Sequence, residues 1–198
     1  MISIALPIYD KMENGDFFLQ RALDSVKSQT FTDYEIVSAK TGMGMAHNIN
    51  ETIKMCKGNI IKILFQDDFL AHENSLQVIS DNFKGGWLVT GCEHTEDGIT
   101  LFRPHYADYN DNIHLENTIG SPSVLAFENK EPLLFDEDLT WMLDCDLYKR
   151  LYARYGEPTI VDDLNVVIGI GKQQATEYLN DELKQREVSI MQNRYETA

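Results

Sequence analysis

Short apolar runs alternate with longer stretches of helical periodicity over the first third of the chain, and this alternation most narrows the possible folds. The short runs predict strands at Ile2–Leu6 and Tyr34–Val37, and a third strand in the stretch Ile60–Leu70. Between the strands, recurring apolar residues predict helices over Phe17–Gln29 and Met45–Cys56. Strands and helices in this order favour a parallel sheet with right-handed crossovers. We therefore expect an α/β fold.

The third apolar run ends in two adjacent carboxylates, Asp67 and Asp68. In open α/β sheets, the carboxyl ends of the strands form the edge where ligands bind. Neighbouring carboxylates repel each other unless a cation or a hydrogen-bonding ligand compensates, and hard oxygen ligands suit Mg²⁺ or Mn²⁺ beside substrate phosphates. The pair predicts a metal–diphosphate site, although the two residues alone leave a solvated turn equally open.

The composition suits one domain of 198 residues, of which 43% are hydrophobic. The formal net charge of −15 argues against a broad surface for nucleic acid or anionic membrane, although it leaves a local basic cleft possible. Cys56, Cys92 and Cys145 form neither a metal-ligand pattern nor a disulfide framework, which favours the reducing cytoplasm. No signal peptide is expected because Met1 leads directly into a strand, and no apolar run is long enough to span a bilayer.

The second half of the chain has shorter and less regular patterns. Hydrophobic periodicity after Glu73-Asn74 predicts a third helix, and Asp97-Gly98 predicts a hairpin turn. The remaining predicted elements are strands at Trp87–Thr90, Ile99–Phe102, Val124–Phe127, Thr159–Val161 and Val166–Ile168, a loop over Pro104–Asn117, and helices over Phe135–Leu151 and Glu177–Tyr195.

Two further carboxylates, Asp144 and Asp146, lie within the predicted helix Phe135–Leu151. Residues two apart on a helix point to different faces, so we expect one to face a cleft and the other to face solvent. The leucines that recur along this helix mark its packed stripe, and Asp144 lies at the edge of that stripe. Asp144 is therefore the better candidate for a cleft residue.

Several patches together resemble family 2 glycosyltransferases with the GT-A fold. The opening Ile-Ala-Leu-Pro-Ile-Tyr, the helix ending in Ser-Val-x-x-Gln-Thr and the following Glu-Ile-Val strand match the start of that family. The other matching segments are Gly44–Asn48, Gln66-Asp67-Asp68, Leu143–Leu147 and Gly171-x-x-Gln174-x-Thr176. The resemblance covers nearly the whole chain, with its motifs in the family's order.

The resemblance implies a GT-A fold, with a Rossmann-like, mostly parallel sheet flanked by helices and an antiparallel addition on the acceptor side. It implies one domain over residues 1–198. Residues 1–92 would form the nucleotide-sugar-binding half, residues 93–176 the acceptor-binding half, and residues 177–198 a C-terminal helix.

The resemblance also implies an inverting, metal-dependent hexosyl- or pentosyltransferase. Its donor would be a nucleotide diphosphate sugar, with UDP as the default, its acceptor a glycan hydroxyl, and its cofactor Mn²⁺ or Mg²⁺. Asp68 would hold the metal, Asp67 would bind the ribose, and Asp144 would be the catalytic base. The other donor-binding residues implied by the resemblance are Pro7, Ile8, Tyr9, His47, Asn48 and Gln66.

The sequence departs from the family at several of these motifs. The Asp-Asp-Gly-Ser turn, which in the family usually recognises the nucleobase of the donor, is replaced here by the shorter segment Ser38–Gly42. The identity of the nucleobase therefore stays open. His47 replaces an arginine, and a helix-surface histidine is an equal alternative to a diphosphate contact. Leu143 replaces a glutamate, and Gly171 stands where the family often has histidine.

Two alternative functions follow from the same features. Short soluble relatives in phages glycosylate hydroxymethylated pyrimidines in DNA, which the small size permits and the net charge disfavours. A non-catalytic nucleotide-sugar-binding module would keep Asp67 and Asp68 without a competent base. An unrelated doubly wound nucleotide-binding protein is a third class, but its glycine-rich and Gly-Lys-Ser/Thr signatures are absent from the sequence.

Overall fold

The computed structural model describes residues 1–9, 12–172, 174 and 179–196. Within these residues, the strands are β1 (Ile2–Ala5), β2 (Tyr34–Val37), β3 (Ile60–Ile63), β4 (Phe69–Leu70), β5 (Trp87–Thr95), β6 (Phe102–His105), β7 (Leu125–Glu128) and β8 (Thr159–Gly169). The helices are α1 (Gly15–Lys27), α2 (Met45–Met55), α3 (Ser75–Asn82), α4 (Leu143–Tyr155) and α5 (Asp181–Tyr195). A short 3₁₀ turn, Pro122–Val124, precedes β7.

The described strands form one sheet in the order β2-β1-β3-β7-β5-β8-β4, with β6 added to β5. β1 pairs in parallel with both β2 and β3, so that Ile2 lies between Tyr34 and Ile60. β7 runs antiparallel to both β3 and β5, and β8 runs parallel to β5. β1, β2, β3, β5 and β8 therefore share one direction, and the predicted α/β class with a mostly parallel sheet is confirmed.

The core lies between the central strands and the helices that cross over them. Ile4 of β1 and Ile61 of β3 are fully buried, as are Val26 of α1 and Ile49 of α2. These helix residues belong to the apolar stripes read from the sequence, because a stripe of this spacing has to be buried against the sheet. Among the described helices, none combines the length and the apolar content that crossing a bilayer requires.

The helix predicted over Phe135–Leu151 is observed as α4, which begins later, at Leu143, and ends later, at Tyr155. Side chains from other helices bind the backbone amides of the preceding segment. Asn50 of α2 accepts from the amide of Phe135, and Glu187 of α5 accepts from the amides of Thr140–Met142. The prediction of a helix from Phe135 was wrong because long-range contacts hold this segment in a loop.

The strand predicted at Ile99–Phe102, after the hairpin turn, lies later in the chain, at Phe102–His105. The Asp97 carboxylate accepts from the amides of Ile99 and Thr100, which holds these residues in the turn. Pairing with β5 therefore starts only at Phe102, and β6 takes in Pro104, which was assigned to a loop. The two short strands predicted after α4 are one strand, β8.

The predicted start of the C-terminal helix, Glu177, lies outside the described residues together with Tyr178. The described helix α5 starts at Asp181, where the Asn180 side chain accepts from the amide of Leu183 at 2.8 Å.

Candidate active site

A cleft of about 800 Å³ opens at the carboxyl ends of β1 and β3. Its lining includes the loop after β1, the start of α2 and the turn after β3. Further lining residues come from Ser121-Pro122, from four of the residues Thr140–Asp144 and from the end of β8. We refer to Thr140–Asp144 as the α4 wall. The position agrees with the rule that open α/β sheets bind ligands at this edge.

The loop Pro7–Tyr9 lines the cleft, and two side chains from other elements fix its path. Gln66 accepts from the amide of Tyr9 at 2.8 Å and donates to the Gly15 carbonyl at 2.8 Å. Asn48 donates to the carbonyl of Ile8 at 2.8 Å. Both amides are buried, at 4% and 2% exposure, so they can hold the loop in one conformation. The structure thus gives Gln66 and Asn48 a supporting role in addition to their position in the cleft lining.

Asp67 and Asp68 occupy the turn between β3 and β4, and both line the cleft. The Oδ1 atom of Asp68 accepts from the amide of Gly169 at 2.9 Å, and the Ser121 hydroxyl lies 3.5 Å from its Oδ2 atom. Burial raises the pKa of both carboxyls, and the Asp67 charge further raises the pKa of Asp68. Because this site disfavours the ionised form of both carboxyls, a bound cation would stabilise it.

Gly169 lets the end of β8 approach this turn. A Cβ atom at this position would collide with the backbone oxygen of Asp67. Any larger residue would therefore push β8 away from the two acids and break the bond from the Gly169 amide to Asp68.

Two cations that no sequence motif indicated lie beside the turn that carries Asp67 and Asp68, which we call the acid turn. Arg21 of α1 donates to the backbone oxygen of Asp67 at 2.6 Å, with its guanidinium 4.5 Å from the centre of the Phe69 ring. Lys62 of β3 is fully buried and donates to the Ser123 carbonyl. Burial lowers the pKa of Lys62 to about 7, while attraction to Asp68 opposes that change. A lysine inside the apolar run Ile60–Phe65 was the sequence signal for a buried charge near the acids.

Asp144 lies in the first turn of α4 and lines the cleft as part of the α4 wall. Its Oδ1 accepts from the amide of Cys145 at 2.7 Å, and its Oδ2 accepts from the Asn117 side chain at 2.7 Å. Burial raises the pKa of Asp144 to about 6, and these hydrogen bonds oppose the rise. The carboxylate is thus oriented and poised to take up a proton near neutral pH.

Asp146 is 1% exposed, which corrects the expectation that one of the two helix acids faces solvent. It accepts from Arg150 at 2.7 Å, from Arg194 at 3.0 Å and from the Tyr195 hydroxyl at 2.7 Å. The charge is buried because three donors satisfy it. Asp146 therefore joins α4 to α5 and does not line the cleft.

Eight of the nine predicted site residues lie in the cleft lining, and His47 does not. The Nδ1 atom of His47 lies 3.0 Å from a carboxylate oxygen of Glu137, as in the surface alternative considered for this residue. Gln174 of the closing motif also lines the cleft, whereas Thr176 lies outside the described residues. Ser121 and Trp141 also line the cleft, but neither belongs to a motif that can be read from the sequence.

The acid turn fits a divalent cation that shares its coordination with a substrate. Among the described residues, no group of three or more His, Cys, Asp or Glu side chains could hold a metal alone. Mg²⁺ and Mn²⁺ commonly bind one or two carboxylates together with substrate phosphates, so a complete protein cage is unnecessary. The described lining has four carboxylates, at Glu13, Asp67, Asp68 and Asp144, and no lysine, arginine or histidine. No described side chain of that lining carries the positive charge that would offset a diphosphate, so a bound cation suits that role.

The sequence matches no protein-family model and no curated protein. Solved structures do resemble the fold. S. aureus TarS 1–349 in complex with UDP-GlcNAc superposes with a TM-score of 0.70 at 12% identity, over 100% of this chain and 68% of that one. The mannosyltransferase PcManGT from Pyrobaculum calidifontis, in complex with GDP-Man and Mn²⁺, gives 0.60 at 13% identity, over 89% of this chain and 59% of that one. These neighbours are GT-A-type glycosyltransferases, so the chain has the GT-A fold.

Proposed function

We propose that this protein is an inverting, metal-dependent glycosyltransferase of the family 2 type. It would transfer a sugar from a nucleotide diphosphate donor, with UDP as the default nucleotide, to a hydroxyl of an acceptor glycan. The observation that carries the proposal is one cleft lined by both the adjacent acids Asp67-Asp68 and the separate carboxylate Asp144. Donor binding and proton removal need these two kinds of site close together.

The donor would lie along the loop after β1 and the acid turn. Pro7 and Tyr9 line the part of the cleft assigned to the nucleoside, Asp67 would bind the ribose, and Asp68 would hold Mn²⁺ or Mg²⁺. A bound divalent cation would neutralise the charge that develops on the diphosphate leaving group. Ligands in the neighbouring structures support this donor class, since they are UDP-GlcNAc in one and GDP-Man with Mn²⁺ in another.

Asp144 would act as the general base for the acceptor. Its carboxylate takes the proton of the acceptor hydroxyl as that oxygen attacks the anomeric carbon and the bond to the diphosphate breaks. Attack on the face opposite the leaving group inverts the anomeric configuration. A carboxylate that lines the cleft and is oriented by Asn117 favours this role over a non-catalytic binding module.

A glycan acceptor agrees with the charge of the site better than DNA does. The described cleft lining carries four carboxylates and no basic side chain. A polyanionic acceptor would be repelled by this lining, whereas a sugar hydroxyl carries no charge.

Two variants test the proposal by dividing the site into its donor and acceptor parts. Thermal unfolding is measured with UDP, GDP, CDP and TDP sugars, with and without Mn²⁺, because a ligand at a hundred times its Kd stabilises the fold by about 2.7 kcal/mol. We expect Asp68→Asn to lose the Mn²⁺-dependent shift. We expect Asp144→Asn to keep that shift but to lose sugar transfer by about 10²-fold or more.

Each variant serves as the control for the other, since both remove one carboxylate charge from the same cleft. An unchanged Mn²⁺-dependent shift in Asp68→Asn would remove the metal assignment. Full transfer activity in Asp144→Asn would remove the base.

A further inference from the structure

A buried carboxylate from the C-terminal helix holds the backbone of the α4 wall. Glu187 of α5 is 0% exposed. One of its oxygens accepts from the amide of Thr140 at 2.8 Å, and the other accepts from the amides of Trp141 and Met142 at 2.8 and 2.9 Å. A single side chain therefore binds three consecutive backbone amides.

These amides lie just before the first residue of α4, at its N-terminus, where backbone N–H groups have no acceptor within the helix. A carboxylate is a suitable acceptor there because it binds amides strongly and carries the charge that a helix N-terminus favours. With Glu187 in place, the segment stays out of the helix that its apolar pattern predicts. The conformation of the α4 wall thus depends on a residue more than 40 positions away in the sequence.

Other contacts of α5 hold the same region at both ends. Arg194 pairs with Asp136 at 2.6 Å and with Asp146 at 3.0 Å. α5 is therefore bound to residues on both sides of the α4 wall. Thr140, Trp141 and Asp144 all line the cleft. Any shift of the Glu187 contacts would move these side chains relative to the acid turn.

We propose that Glu187 is a positioning residue for the acceptor half of the reaction. It fixes the backbone of Thr140–Met142 and thereby sets Trp141 and Asp144 at their distance from the donor site, without contacting either substrate. This role rests on the proposed function. It assigns the C-terminal helix to the acceptor site, which the sequence motifs did not do.

The test compares Glu187→Gln with Glu182→Gln, an exposed glutamate in the first turn of the same helix. Glutamine keeps the size of the side chain, but its amide nitrogen donates and cannot accept from a backbone amide. Donor affinity is measured by titration with UDP-sugar and Mn²⁺. Transfer is measured with a panel of uncharged methyl glycosides as acceptors.

We expect Glu187→Gln to keep the wild-type donor affinity and to lose about tenfold to a hundredfold in kcat/KM for the acceptor, because small displacements of a reacting group have effects of this size. Glu182→Gln should match the wild type in both. Glu187→Asp keeps the charge and should recover part of the loss. If the glutamine variant is too unstable to assay, the aspartate variant is judged by the same comparison with Glu182→Gln.

Trp141 provides a readout that needs no acceptor. The other tryptophan, Trp87, is 1% exposed, so acrylamide quenching of the native protein mainly reports Trp141. Quenching should increase in Glu187→Gln but not in Glu182→Gln.

Equal acceptor kinetics and equal quenching in Glu187→Gln and Glu182→Gln would overturn the positioning role. Parallel loss of donor affinity and transfer would overturn it too, since that pattern indicates general damage to the fold. Absence of nucleotide-sugar binding in the wild type is a separate result, which would overturn the proposed function and this role with it.

Discussion

At the scale of single residues, the environment of Asp144 would decide when it could act as the proposed base. Burial raises its pKa to about 6, and hydrogen bonds from the Cys145 amide and, to a smaller extent, from Asn117 oppose that rise by favouring the ionised form. A general base works only when deprotonated. Transfer should therefore fall as the pH decreases through about 6, and loss of the Asn117 bond should make that fall begin at a higher pH.

Replacement of Asn117 by alanine tests this dependence. The loss of a hydrogen bond to a carboxylate raises the pKa of Asp144, so the acid limb of the kcat/KM profile should move upward by about one pH unit. The control is Asn110→Ala, because Asn110 belongs to the same loop but bonds Thr118. An acid limb at the wild-type pH in Asn117→Ala would mean that another group controls it.

At the scale of elements, the joint between α4 and α5 holds the α4 wall of the cleft in place. Asp146 lies at the centre of this joint, where its carboxylate accepts hydrogen bonds from Arg150, Arg194 and Tyr195. Removing one partner of a buried ion pair leaves the remaining charges poorly compensated. The two arginines are about a third exposed, which allows water to compensate part of the loss.

We therefore expect Asp146→Asn to lower the free energy of unfolding by about 2 kcal/mol, measured by urea denaturation. The matched control is Asp138→Asn, since Asp138 is exposed in the segment that precedes α4. Donor affinity should be unchanged in both variants because neither residue lines the cleft. Equal stability of the two variants would show that the Asp146 contacts contribute little.

At the scale of the whole molecule, charge separates the possible acceptors. The chain carries a formal net charge of −15, and the described cleft lining has the same sign. Hydroxymethylated duplex DNA should therefore neither bind in fluorescence anisotropy at low salt nor stimulate donor turnover. Uncharged methyl glycosides serve as the parallel acceptors. Salt-sensitive binding of DNA together with increased turnover would favour the DNA-modifying alternative.

The sequence by itself determined the elements whose signals are local. β2 was predicted at its observed bounds, and β1 and α2 within one residue of theirs, because apolar spacing and nearby turn residues define these elements. Asp67 and Asp68 were located for the same reason, since they follow an apolar strand directly. The mostly parallel sheet followed from the order of the first elements.

Only the tertiary structure decided features that depend on partners far away in the chain. Glu187 binds amides 45 to 47 residues away, and Asn50 binds the amide of Phe135 across 85 residues. These bonds override the helical pattern of the segment before α4, because buried backbone amides need acceptors and side chains from α2 and α5 supply them. Asp146 likewise had the pattern of a surface residue and is buried by three donors from α4 and α5. The pair Asp146–Arg150 is local, four residues apart on α4. No local pattern records the other contacts, since they exist only after the helices pack together.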